Sequence, residues 1–218
     1  LCNELTDQLN TLSDSLGRDS DGLADMGKDL QDRARAAMFS LGATYPELSG
    51  YYPQPKGLLF PAFLSVQNLS GIYSPFTIEA NYNSAMVSYN LPFTICHELS
   101  HLRGFMQEEE ANFIGFLACV NADDTAFNYS GYLLGWIYAT NELYEADYDT
   151  FEEIYSRLSD NVKADLSANS SFWNRYDSKV AEVSGQINDH YLKANGQSDG
   201  IKSYDRMVDL MITWFRSK

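Results

Sequence analysis

Residues 91–119 read LPFTICHELSHLRGFMQEEEANFIGFLAC, and the fold turns on how this stretch is read. Asn90–Pro92 suit a helix start and Gly104 a helix stop, so the first half is expected as one helix behind the bulky residues Phe93 and Ile95. A second helix is expected from about Gln107 to Val120. The first carries His97-Glu98-Leu99-Ser100-His101. Residues four apart share a helix face, so both imidazoles can reach a single ion, and one zinc ion is the expected cofactor. Glu98 follows the first histidine and stands where a carboxylate can take a proton from an activated water. Of three histidines in the chain, two fall in this motif, which sets it apart from a chance pairing of core histidines.

A catalytic zinc site takes three protein ligands and leaves one position open. His97, His101 and Gly104 begin like the metzincin spacing, whose third histidine would fall at position 107, but that residue is Gln107, a poor ligand. Glu108-Glu109-Glu110 follow at once. If Gly104 turns the chain, the first turn of the next helix faces back. Glu108 can then bind the metal, while Asn112, four residues on, orients a ligand from behind. Acidic residues also complement a helix N-terminus, which explains one or two of the three. His190 is an alternative third ligand.

Outward from this stretch the chain is expected to be mainly α, within an α+β class. Helices are expected over 3–16, 20–42, 127–143, 148–166, 171–194 and 200–216, with Ser20 and Asp21 as an N-cap. Residues 1–44 read as an N-terminal helical hairpin packed on a body formed by 45–218. Prolines and glycines from Tyr45 to Gly57 mark a long loop, and 58–66 is apolar without a clear type. Ile72–Ile78 and Met86–Tyr89 are β-prone, with Asn81–Ser84 as the turn between them, which puts a small sheet or hairpin before the HELSH helix. Tyr129, Tyr132 and Trp136, with Met207, Leu210, Met211, Trp214 and Phe215, follow helical spacing and read as core.

Composition narrows the partners. The 218 residues carry 30 acidic against 15 basic side chains, a net charge of −15, with no basic cluster to track a phosphate backbone. No nucleic acid is therefore expected, and adsorption to an anionic membrane is disfavoured. Cys2, Cys96 and Cys119 are too widely spaced for a thiolate zinc site, and the last two read as buried, inert thiols. No apolar run reaches the roughly 18–20 residues of a membrane span.

The Glu-x-x-Ala-Asn sequence of residues 108–112 resembles the third-ligand helix of gluzincin peptidases, including the CAAX-processing endopeptidases and the anti-repressor metalloproteases. That resemblance implies zinc binding by Glu108 and support from Asn112. GIYSPFTIEANYN (71–83), the opening stretch (91–119), YSGYL (129–133) and NDHYLKANGQSDGIKSYDRMVDL (188–210) together resemble a group of bacterial membrane-anchored HExxH proteins, domain of unknown function 3810. The resemblance implies a zincin-like fold, an extracytoplasmic location and membrane helices upstream of Leu1.

Peptide hydrolysis would also need a group to steady the oxyanion. Tyr204, in the polar loop Asn195–Tyr204, is the first choice, with His190 and Arg206 behind it. Zincins pair extended substrate with an edge strand in the place of Pro75–Asn83, so the resemblance puts Glu79, Ala80 and Asn81 along a substrate cleft. Glu79 could equally cap a helix or pair with Arg103. The expected function is a zinc peptidase acting on a peptide or protein. A non-catalytic zincin-fold module of the cell envelope and a zinc hydrolase of non-peptide bonds are the alternatives.

Overall fold

Helix α4 (Asn90–His101) is the hub of the fold in the computed structural model, which describes residues 1–177 and 205–218. Pro92 lies in its first turn, where a missing N–H costs no helical hydrogen bond. Phe93, Ile95, Cys96 and Leu99 are buried around it, and the chain leaves through Gly104, whose φ of +91° suits a residue without Cβ. Helices α2 (Leu30–Thr44), α5 (Glu108–Val120) and α6 (Thr125–Ala146) pack on α4, and a small sheet closes its remaining side. The architecture is mainly helical with one three-stranded sheet, in the α+β class.

Strands β1 (Lys56–Gly57), β2 (Gly71–Ser74) and β3 (Glu79–Tyr82) lie in the order β1-β3-β2. β1 runs parallel to β3; β2 runs antiparallel to it, with Gly71 opposite Tyr82 and Ser74 opposite Glu79. The hairpin therefore differs from the sequence expectation. Its turn falls at 75–78, because Pro75 brings no N–H to a ladder and Ile78 takes a φ of +55°. Asn83 ends β3 by accepting the Ala85 N–H on its side chain, and Met86–Tyr89 lead straight into α4 instead of forming a strand.

The N-terminal segment also departs from expectation. Helix α1 (Cys2–Ser15) matches, but residues 20–29 are irregular: Asp19 accepts the N–H groups of Asp21 and Leu23, so the chain turns where a helix start was expected. α1 packs chiefly on α6, while α2 packs on α4 and α5, so the two helices are not a hairpin laid on a body. Leu5, Leu9, Ala34 and Met38 join Phe93, Leu99, Phe116 and Leu133 in one continuous core. The segment 58–66 contains a short helix α3 (Ala62–Val66).

At the C-terminal end, α7 (Tyr148–Ser156) and α8 (Asp160–Asn174) break earlier than the expected boundary near 166–171, since Ser159 caps α8 by accepting from Val162. Helix α9 (Asp205–Arg216) buries Met207 and Met211 against α5 and α6. Tyr204, His190, and the expected helix and loop beyond Asp177 lie outside the described residues. Cys96 and Cys119 are buried and free. Among the described residues no helix is long and apolar enough to cross a membrane.

A polar clamp binds α8 to the rest. Asp165, fully buried, accepts from the Arg18 guanidinium at 2.7 Å, from the Tyr129 hydroxyl at 2.5 Å and from the Ala24 N–H at 2.9 Å. Removing the carboxylate strands a partly buried cation and two donors. Asp165→Ala is expected to cost about 3–5 kcal/mol, read as a lower midpoint in denaturant titration. A loss within about 0.5 kcal/mol would show that the clamp contributes little.

Candidate metal centre

Three side chains converge where the last turn of α4 meets the first turn of α5. The His97 and His101 Nε2 atoms lie 3.2 Å apart. Glu108 Oε2 is 3.3 Å from His97 Nε2, and its Oε1 is 3.9 Å from His101 Nε2. One ligand atom from each residue falls within a group no wider than 4.8 Å, and these three form a group that could hold a metal ion. Two ligands at zinc distances under a tetrahedral angle stand about 3.3 Å apart, so the spacing fits an ion of that size.

The helices come this close because Gly115 of α5 faces the α4 backbone. A Cβ there would sit 3.3 Å from His97 N and from Phe93 O, tighter than ordinary packing. Gln107 opens α5 in extended conformation, which turns Glu108 back toward α4. The three acids then diverge: Glu108 joins the histidines, and buried Glu109 pairs with Arg206 of α9 at 3.2 Å.

Each histidine is held from behind. His101 Nδ1 lies 2.7 Å from the Phe105 carbonyl, so that nitrogen donates and Nε2 carries the lone pair toward the cluster. The Asn112 side chain hydrogen-bonds His97, and its buried Nδ2 has no partner. Tyr73 of β2 packs its ring 5.9 Å from that of His101.

Glu98 stands beside the group, its Oε1 4.0 Å from His97 Nε2, only 5 % exposed and with Oε2 unpartnered. Its place is fixed from above by Gly71. A Cβ on that residue would come within 2.4 Å of Glu98 Oε1 and 2.8 Å of its Cδ. With a larger residue at the start of β2, this carboxylate would have to move from where it stands.

The electrostatics follow from four titratable groups in one buried space. Burial raises Glu98 to about 8, with the His97 charge opposing and the Glu108 charge adding to the rise. Burial lowers His97, but the hydrogen bond and charge of Glu108, then Glu98 and Asn112, outweigh it and lift the imidazole to about 9. Burial and the His97 charge take His101 down to about 4. Burial would raise Glu108, yet the hydrogen bond and charge of His97 hold it below its ordinary value. His97 and Glu108 thus act as a cation–carboxylate pair, while His101 stays neutral.

The structure brings His97, His101, Glu108, Glu98 and Asn112 together. Glu79, Ala80 and Asn81 lie in β3, the middle strand of the sheet: Asn81 sits between Lys56 of β1 and Ile72 of β2, whereas Glu79 and Ala80 pair with β2 and extend past the two-residue β1. The side of β2 away from β3 is the sheet edge beside the cluster. Glu79 pairs with Lys56 instead of Arg103, whose guanidinium bonds the Ser49 and Tyr51 carbonyls. Gly71 and Tyr73 were not singled out from sequence: Tyr73 lies inside the expected strand Ile72–Ile78 and Gly71 one residue before it, and their alternation on one strand face was the available signal.

Fold and cluster together define a mainly helical α+β protein with two histidines and a glutamate gathered at a helix junction. The chain belongs to the family described as Protein of unknown function (DUF3810), whose model matches residues 1–212 and so includes the N-terminal helices as well as the helices that carry the cluster. No curated protein and no solved structure matches it.

Proposed function

We propose that the protein is a zinc-dependent peptidase, in which His97, His101 and Glu108 hold one Zn²⁺ and Glu98 is the general base. The observation that carries this reading is Glu98 itself: a buried carboxylate with a free oxygen, beside but outside the three-ligand group. A metal held only for structure is normally closed by four protein ligands and has no use for such a neighbour. When bound, the ion supplies a Lewis acid that acidifies water and polarises a carbonyl.

The chain's own residues do the rest. Glu98 takes the proton from water as the water oxygen bonds to the peptide carbonyl carbon. It returns that proton to the amide nitrogen as the C–N bond breaks, and is left ionised. Burial makes it a stronger base than an exposed carboxylate. Asn112 and the Phe105 carbonyl fix the two imidazoles. Tyr204, with His190 behind it, is the donor to the oxyanion, and Tyr73 brings a phenol ring beside His101. An extended peptide would pair along β2, next to Gly71 and Tyr73, with Glu79, Ala80 and Asn81 one strand further back. An extracytoplasmic place beside a membrane rests on the family resemblance.

The test combines metal analysis of the purified protein with cleavage of a mixed peptide library. About one zinc per chain, with cleavage lost on chelation and restored by zinc, is expected. Zinc without cleavage of any peptide would favour the non-catalytic envelope module, and no bound metal would end the peptidase reading.

A further inference from the structure

The segment from Leu48 to Ile78 contains no Asp or Glu, in a chain with 30 of them, and its single basic residue is Lys56. The same segment carries most of the strongly exposed large apolar side chains: Leu59 at 91 %, Phe60 at 79 %, Phe63 at 68 % and Phe76 at 98 %, with Ile72 and Ile78 also exposed. The short helix α3 is turned inside out. Leu64 and Ser65 face the interior, while Phe60, Phe63 and Val66, at three-residue spacing, face solvent. β1 is parallel to β3, so the loop after Gly57 lies at the Tyr82 end of the sheet. The 75–78 turn lies at the Glu79 end, and β2 with exposed Ile72 spans the distance between.

We infer that this band, Leu59, Phe60, Phe63, Ile72, Phe76 and Ile78, is a lipid-docking surface that seats the protein on an electroneutral phospholipid bilayer. Two features favour lipid over a protein partner. The apolar groups project singly from a loop, a one-turn helix and a hairpin tip, and a bilayer accepts such projections without a matching recess. Acidic side chains are excluded from the whole segment although they dominate the rest of the chain. Carboxylates at the polar–apolar boundary of a membrane are costly, whereas a protein interface tolerates them at its rim. Three phenylalanines and a leucine also match the apolar side chains that interfacial segments bury at the boundary of headgroups and acyl chains. Docking here would set the β2 edge, and the cluster beneath it, beside the membrane.

Flotation with phosphatidylcholine vesicles tests this directly, on the wild type and on the triple variant Leu59→Ser, Phe60→Ser, Phe76→Ser. The wild type is expected to float with the vesicles, and the variant to bind at least about tenfold more weakly. Metal loading should leave both unchanged, so the result is independent of the peptidase reading. The three side chains are exposed, so melting temperature should be preserved; if it is not, Phe76→Ser alone, at the hairpin tip, serves as the variant. A wild type that stays with the soluble fraction would overturn the inference, and so would equal flotation of both proteins. A wild-type dimer that the substitutions convert to monomer without lipid would overturn it too, by assigning the band to a second copy of the chain.

Discussion

Glu98→Gln is expected to leave zinc content at the wild-type level and to lower peptide turnover by about 10²–10⁴-fold, the contribution of a positioned general base. The substitution is nearly isosteric, so the amide fills the same space under Gly71 and against His97. What changes is the ability to accept and return a proton. Steady-state kinetics beside metal analysis separates the two effects: kcat falls, and the metal stays. A variant that cleaves peptides at the wild-type rate would remove Glu98 from the mechanism and leave the cluster as a binding site.

His97→Ala is expected to have the opposite signature, loss of metal first and of activity as a consequence. Competition against a chromophoric chelator should show zinc affinity falling by well over the roughly 10–100-fold typical of a supporting residue. Glu108→Ala should behave like His97→Ala, and Asn112→Ala should fall in the supporting range. This ordering matters because Glu108 lies 3.3 Å from one imidazole and 3.9 Å from the other. If Glu108→Ala kept full affinity, the glutamate would be a simple partner for the His97 cation, and the third ligand would have to come from elsewhere. In the metal-free protein the same substitution removes the carboxylate that keeps His97 protonated, so its imidazole should titrate lower, an effect visible by NMR.

The helical part of the site was legible because its determinants are local. A four-residue histidine spacing, a glycine stop and an acidic start fix α4 and α5 within a residue or two. Strand placement failed for an equally physical reason. Phe76, Thr77 and Ile78 have the β preference of a strand, but Pro75 and the positive φ of Ile78 make them a turn, and the pairing of 71–74 with 79–82 prevails over propensity. The apparent N-cap at Ser20 and Asp21 failed because Asp19 closes a turn on the same N–H groups. The packing of α1 against α6 and of α2 against α4 was not readable at all, since an amphipathic stripe states that a face is buried without stating what covers it.

Gly71 shows what such hidden constraints imply. The glycine and Glu98 share one volume: the carboxylate keeps its present place only while the other position stays bare. Their fates in sequence drift are therefore joined. A lineage that abandons the glutamate frees position 71 to gain a side chain, and a glutamate that returned afterwards would have to take a different rotamer, away from its present place beside His97. In related chains, glycine here together with glutamate there would distinguish lineages that keep the carboxylate from those that have let it go.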